Sequence, residues 1–208
     1  MSRLRITFSK TTAMRYIGHL DVYRAWERLV RRAGLPLAYT QGFSPHPRLN
    51  LASALPLGLT GQAEVLDIWL EQELPAERVF QALQEAAPPG LLIQQVEAID
   101  ERLPVLQAIL LASEYLITLL EPPPDLEARL ARLLEADSLP WQRRGKTYDM
   151  RPLVQALQIL PPDEQGLPRL LALLSARENA TGRPDELLAA MQIDPLSARI
   201  HRSRLIFA

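Results

Sequence analysis

Three stretches of this sequence gather side chains able to hold an anion or move a proton. Arg15-Tyr16-Ile17-Gly18-His19-Leu20-Asp21 concentrates polar chemistry where a strand hands over to a helix. Amides at a helix N-terminus attract anions, and Arg15, Tyr16 and His19 could complete such a site. Histidine with tyrosine could equally serve as acid and base on a ribose or phosphate. The plainer alternative is that Asp21 caps the helix and His19 satisfies a backbone carbonyl. Further on, Arg24, Arg28 and Arg31 recur at i, i+4 and i+7 with Arg32 beside them, on the face opposite Trp26. Such guanidiniums suit a phosphate backbone, with affinity that weakens as salt rises. They also suit an ordinary solvated helix face, and Glu27 is spaced to pair with Arg31. The third stretch, Gln41 to Arg48, sets Phe43, His46 and Arg48 around Pro45 and Pro47, with Gly42 before them. Aromatic and guanidinium planes on a stiff loop suit the stacking of unpaired bases. Prolines also merely shape turns, and Phe43 could plug the core instead.

Other chemistry is thinner. Glu64 and Asp67 lie three apart in an expected strand, so they should face opposite sides, which weakens a paired-carboxylate mechanism. Arg143-Arg144-Gly145-Lys146 followed by Tyr148, Asp149 and Arg151 reads as a basic turn with an aromatic in it. The closing strand adds Arg199, His201, Arg202 and Arg204, explained equally well as charge protecting a solvated edge. No glycine-rich phosphate loop and no His-Glu-x-x-His zinc motif occurs. With no cysteine and three histidines, His19, His46 and His201, the chain has no conventional ligands for an iron–sulfur cluster and few for any metal. No cofactor, metal or catalytic residue is assigned.

The balance of charge is local. Residues 1–50 hold nine Lys/Arg against two acids, and residues 51–102 hold two against nine, so a total of -1 hides a dipolar first half. Nearly all the bases are arginine, which suits bidentate phosphate contacts, although a GC-rich genome or a thermophilic source gives the same bias. At 208 residues, 48% hydrophobic and mean hydropathy -0.04, the chain can bury a core. No apolar run approaches the roughly 18 to 20 residues of a membrane span. The opening residues lack the apolar stretch of a signal peptide, so a cytoplasmic location is expected.

The elements that must position these residues follow from periodicity. Leu4 to Phe8 alternates as a strand. Val22, Trp26, Leu29 and Ala33 make one stripe of a helix from Leu20 to Ala33, stopped by Gly34 and Pro36. Short strands are expected over Leu35–Thr40 and Leu49–Leu55, then a strand over Glu64–Leu70, a helix over Pro75–Ala87 and a strand over Leu91–Ile99. The order strand, helix, strand, strand, helix, strand is that of a split βαβ, ferredoxin-like module. It recurs as a strand over Ser113–Leu120, a helix over Asp125–Ala136, a short strand over Trp141–Lys146, a strand over Arg169–Leu174, a helix over Asp185–Met191 and a strand over Ala198–Phe207. An extra helix is expected over Arg151–Gln158 with Asp149 as its cap. The expected architecture is α+β: two tandem ferredoxin-like modules with antiparallel sheets, 1–103 and 104–208.

Three segments together resemble one family: Arg15 to Asp21, then Arg31-Arg32-Ala33-Gly34-Leu35-Pro36, then Tyr39-Thr40-Gln41-Gly42-Phe43-Ser44-Pro45-His46-Pro47. Ala54 to Gly58, Glu64, Asp67 and Lys146 to Pro152 extend the likeness over nearly the whole chain. The family is the radical-SAM-linked proteins, a bacterial domain encoded beside or fused to a radical-SAM protein, some members near ribonuclease and ribosomal-protein genes. Gly18 stands where serine is common there, and Ser44 where asparagine is. The resemblance implies RNA or translation-related work and carries over Arg15, His19, Asp21, Arg31, Arg32, Gly42, Phe43, Pro45, His46, Pro47, Glu64, Asp67, Asp149 and Arg151 as motif residues without assigned roles. Lacking cysteine, the chain cannot hold the radical enzyme's cluster. It is therefore expected to be a non-catalytic RNA-binding, substrate-presenting partner of that enzyme. The alternatives are a metal-independent endoribonuclease like those of CRISPR repeat processing, with Tyr16 and His19 or His46 as acid and base, or a purely protein-binding scaffold.

Overall fold

Leu4, Ile6 and Phe8 leave the first strand on one side, and Arg3, Arg5 and Thr7 on the other, so the alternation that defines the strand also sorts its chemistry. The computed structural model describes all 208 residues, and its backbone divides into two units, Met1–Ile109 and Leu110–Ala208. The architecture is α+β with antiparallel strand pairing.

In the first unit, β1 (Ser2–Lys10) pairs with β3 (Thr60–Leu70) on one side and β4 (Leu91–Ile99) on the other. A three-residue β2 (Leu49–Leu51) lies beyond β3, giving the order β2-β3-β1-β4. Helices α1 (His19–Arg32) and α2 (Ala76–Ala86) supply the rest of the core. Val22, Trp26 and Leu29 are buried with Leu4, Ile6, Phe8, Leu66 and Ile68, and Phe8 meets Trp26 edge-on at 4.9 Å. Burial of this stripe, rather than helix propensity, holds α1 in place. Past the end of α1, Gly34 takes φ +66, a left-handed turn that its missing side chain permits. A single turn, α3 (Leu106–Ile109), ends the unit.

Two expectations for α1 are corrected. Its N-cap is Gly18, in extended conformation and with no side-chain cap; the Asp21 and Val22 amides both donate to the Gly18 carbonyl. His19 is the first helical residue, and Asp21 pairs with Arg24 instead of capping. The strand expected over Leu35–Thr40 is reduced to isolated bridges, Leu37 to Leu70 and Tyr39 to Pro47. Pro36 and Pro47 have no N–H for a continuous ladder. The strand expected as far as Leu55 ends at Leu51.

In the second unit, β5 (Leu110–Leu119) pairs with β9 (Arg169–Arg177) and β11 (Ala198–Phe207). Both β8 (Val154–Leu160) and the two-residue β10 (Ala180–Thr181) line the far side of β9. Helices α4 (Leu126–Glu135) and α5 (Pro184–Ala190) complete it. A separate hairpin, β6 (Pro140–Arg143) with β7 (Lys146–Asp149), stands outside that sheet where one short strand was expected. The helix expected over Arg151–Gln158 is one 3-10 turn, Arg151–Leu153, running into β8. The helical spacing of buried Val154 and Leu157 comes from a bulge: Val154 faces Leu174, Ala156 faces Leu173, and Gln155 is the extra residue.

Candidate functional site

The strand-to-helix junction is built on a lysine. Lys10 continues the inward register of Leu4, Ile6 and Phe8 to the end of β1 and is only 1% exposed. Its Nζ donates to the Leu59 carbonyl at 3.0 Å and to the Arg15 carbonyl at 3.5 Å, pinning the turn before α1 to the turn before β3. Lys10, His19, Ser53 and Glu64 line a small cavity with Phe8, Val22, Leu51 and Leu55, with room for about one water centre. Glu64 sits opposite Phe8 in the β1–β3 ladder, and Lys10 opposite Gly61. An ammonium, an imidazole, a hydroxyl and a carboxylate thus surround a space large enough for a water and far too small for a nucleotide.

Arg15 belongs to the same junction. Its Nε donates to the Gly58 carbonyl at 2.7 Å, and the Gly58 amide returns a bond to the Arg15 carbonyl at 2.9 Å. The guanidinium lies 5.6 Å from the Tyr16 ring, which is mostly exposed.

The proline-flanked loop is a separate projection. Its base is closed by four bonds: Arg48 N to Ala38 O, Thr40 N to His46 O, His46 N to Thr40 Oγ1 and Tyr23 OH to Pro47 O. The last ties it to α1 one turn after His19. Burial, aided by the charge of Glu27, raises the Tyr23 hydroxyl's pKa and so keeps it a donor. Pro47 is buried, whereas Gln41, Gly42, Phe43, Ser44, Pro45 and His46 are all exposed. Phe43 is fully exposed, at 110% of the reference area, so it does not plug the core. Arg48 lies 4.8 Å over the Trp69 ring, which also carries Arg3 at 4.9 Å.

The arginines of α1 divide by use. Arg24 pairs with Asp21 at 3.2 Å, both well exposed. Arg32 reaches the Ala86 carbonyl at the end of α2. Arg28 and Arg31 are exposed and make no ion pair, and the pairing of Glu27 with Arg31 does not form.

Glu64 and Asp67 do face opposite sides of β3. Asp67, fully buried, accepts from Arg3 at 2.6 Å and from Arg5 at 2.9 Å. Arg3 further donates to the Leu103 and Pro104 carbonyls, which lays the 103–107 segment across that face of the sheet. Asp67 is therefore a structural hub.

In the second unit, Arg151 spends its guanidinium on the Val154 and Leu134 carbonyls, at 3.1 and 3.0 Å. Asp149 accepts from the Leu139 and Arg151 amides at 2.8 and 2.9 Å, which hold its carboxyl below the usual carboxylate range. It closes the hairpin rather than capping a long helix. Arg202 is buried, so solvated-edge protection does not explain it; Arg204 pairs with Glu114 at 2.8 Å.

The structure therefore brings Arg15 and His19 together around Lys10 and carries Phe43 and His46 on a neighbouring loop. Sequence reasoning passed over Lys10 and Ser53. The available signal was Lys10 at the next inward position after three core residues, in a chain with only two lysines.

Residues 3–184 match the bacterial family described as "Uncharacterized protein conserved in bacteria (DUF2344)". No curated protein matches the sequence. Among solved structures, the chain is similar to one in a "Crystal Structure of a Cbf5-Nop10-Gar1 Complex", with a TM-score of 0.51 and 12% identity over 97% of this chain and 48% of that one. Another, from the archaeal box H/ACA sRNP Nop10-Cbf5 complex, has a TM-score of 0.46 and 12% identity over 97% and 47%. The chain thus spans about half the length of the solved chains it matches. No helix is long and apolar enough to cross a membrane. The chain belongs to the DUF2344 family.

Proposed function

We propose that this member of the DUF2344 family binds RNA without cutting it and presents it to a radical-SAM enzyme that modifies or processes it. The observation that carries the reading is Phe43, an aromatic ring fully exposed on a loop closed at its base by four hydrogen bonds. A bare ring on a braced loop is a stacking platform for an unpaired base. The loop is anchored to α1, whose Arg28 and Arg31 remain unpaired for phosphate. Arg15, Tyr16, His19, Arg24, Arg32, His46 and Arg48 complete the proposed surface of the first unit in supporting roles, because several of their polar groups already hold the protein's own backbone; Arg151 is proposed as a separate supporting contact on the second unit. The partnership itself rests on the sequence resemblance to radical-SAM-linked proteins and on the absence of cysteine, which leaves the iron–sulfur cluster to the partner. The likeness to a chain that works inside a Cbf5-Nop10-Gar1 complex is in keeping with a protein acting beside others. The cavity beside His19 leaves no room for a scissile nucleotide, which disfavours cleavage inside it; cleavage by exposed Tyr16 and His46 is an outcome of the test below.

The ferredoxin-like modules expected over 1–103 and 104–208 are proposed to correspond to the units Met1–Ile109 and Leu110–Ala208. In support, β2-β3-β1-β4 in one and β8-β9-β5-β11 in the other are the same order when strands are counted by their place around the helices.

The test is retention of mixed-sequence single-stranded RNA by the full chain at graded salt, without metal. Intact RNA should be retained and lost as salt rises, and Arg28→Glu with Arg31→Glu should abolish retention. Retention unchanged in that variant, or none by the unmodified protein at low salt, overturns the reading; cut strands select a nuclease instead.

A further inference from the structure

We propose that the β6–β7 hairpin of the second unit is an additional RNA contact that grips phosphate through Arg144 and Lys146 at its tip. The inference rests on the RNA-binding reading and extends it to a surface on the other unit.

The backbone of the turn points to it first. Arg144 and Gly145 connect the two strands with φ of 49° and 78°, so both turn residues are left-handed. Such two-residue turns favour Asn-Gly or Asp-Gly, because Cβ crowds the following carbonyl there and a short polar side chain offsets this with a local hydrogen bond. An arginine in that place is a local cost with no structural return: its side chain is exposed and makes no ion pair.

The second observation is a division of labour within the basic run. A two-stranded hairpin on its own is barely stable in water, and this one is clamped. Arg143 Nε donates to Glu186 Oε1 at 2.7 Å, and Tyr148 donates to Glu186 Oε2 at 2.6 Å. Arg143 also reaches the Thr181 carbonyl at 3.1 Å and lies 4.9 Å over the Tyr148 ring. Asp149 closes the base through the Leu139 amide at 2.8 Å. Glu186 and Asp149 are therefore committed to the brace, and so is Arg143. Arg144 and Lys146 alone of the run are left in solvent, flanked on the ladder by exposed Gln142 and Thr147.

A rigid arm that ends in hydrogen-bond donors, two of them cationic, fits a polyanion whose phosphates are regularly spaced. Contacts of that type position a nucleic acid without reading its sequence. Lys146 supplies a point charge and Arg144 a planar fork, and the brace spares the arm the backbone ordering that a floppy loop would need on binding.

The test uses the full chain with Arg144→Asn and Lys146→Gln together, since asparagine is at ease in the left-handed turn and the hairpin should survive. Thermal melting checks that it does. RNA affinity of the variant should fall on the order of tenfold at low salt, and the slope of log affinity against log salt should become shallower by about 1.4, two single-strand phosphate contacts' worth. If the unmodified protein binds RNA, the Arg28→Glu, Arg31→Glu variant does not, and the hairpin variant matches the unmodified protein, this inference fails while the RNA-binding reading stands. If the unmodified protein binds no RNA, both fail. If the hairpin variant keeps RNA but loses binding to polyglutamate, the arm serves an acidic polypeptide and the inference is overturned.

Discussion

Glu64 folds back over Gly61 so closely that a Cβ at position 61 would stand 2.3 Å from its Oε1 and 2.8 Å from its Cγ. Gly61 is opposite Lys10 in the ladder, so the glycine is what lets a buried carboxylate lie alongside a buried ammonium in the junction. Gly61→Ala must push the carboxylate away, and Glu64, 4% exposed, has little room to go. The substitution should cost about 1–3 kcal/mol by overpacking. In a Glu64→Ala background most of that cost should vanish. A double-mutant cycle in denaturant measures it, and additive effects would show that the two positions do not share this space.

Asp67 predicts a larger loss. It is fully buried between Arg3 and Arg5, and Arg3, itself 1% exposed, has no other carboxylate. Asp67→Ala leaves that guanidinium charged and buried, which should cost about 3–5 kcal/mol. Replacing the pair with apolar side chains, Arg3→Met with Asp67→Leu, should recover much of the loss, since the desolvation penalty disappears with the charges. Urea midpoints of the two variants decide it; a double variant no better than Asp67→Ala would mean that the carbonyl contacts of Arg3 to 103 and 104 matter more than its ion pair.

Much of this was legible from periodicity. Alternation found β1, the strand period found the opposed facing of Glu64 and Asp67, the order of elements placed β4, and the Val22–Trp26–Leu29 stripe found α1. The misreadings have local causes. Asp149 as a cap and Pro152 in a first turn signal a helix start, but the chain makes one 3-10 turn there and runs into β8, whose bulge at Gln155 spaces Val154 and Leu157 as a helix would. Asp21 looked like a cap because its type and place fit, but the Gly18 carbonyl had already taken the first amides. The site was harder. A charge count treats Lys10 and Arg28 alike, yet one is sealed in the core and the other open to solvent. Only burial separates a base that holds the fold from one that is free to hold a ligand.

Phe43 should behave as a residue with function and no structural weight. Its ring is fully exposed, so Phe43→Ala should leave stability within about 0.5 kcal/mol. RNA affinity should drop by about 1–3 kcal/mol, the worth of one stacked base. Phe43→Trp should retain binding. Melting curves together with RNA titrations separate the two effects, and a variant that binds as tightly as the unmodified chain would remove the stacking platform from the proposal.

The hairpin clamp should reveal itself in alkali. Burial first, then the hydrogen bond to Glu186, pushes the Tyr148 hydroxyl from 10.0 up to about 12. The folded protein thus holds this proton more tightly than the unfolded chain does, so the corresponding stability is complete below pH 10 and is lost as pH rises from about 10 to about 12. Tyr148→Phe should remove the phenolate that appears near pH 12 and flatten the stability profile across that window. At neutral pH it should be weaker by about 1.5–3 kcal/mol, one hydrogen bond to the charged Glu186, with Arg143 still holding the carboxylate. Phenolate absorbance and denaturation midpoints followed between pH 8 and 12 measure both effects, and a variant with the same alkaline slope as the unmodified chain would place the loss of stability in another group.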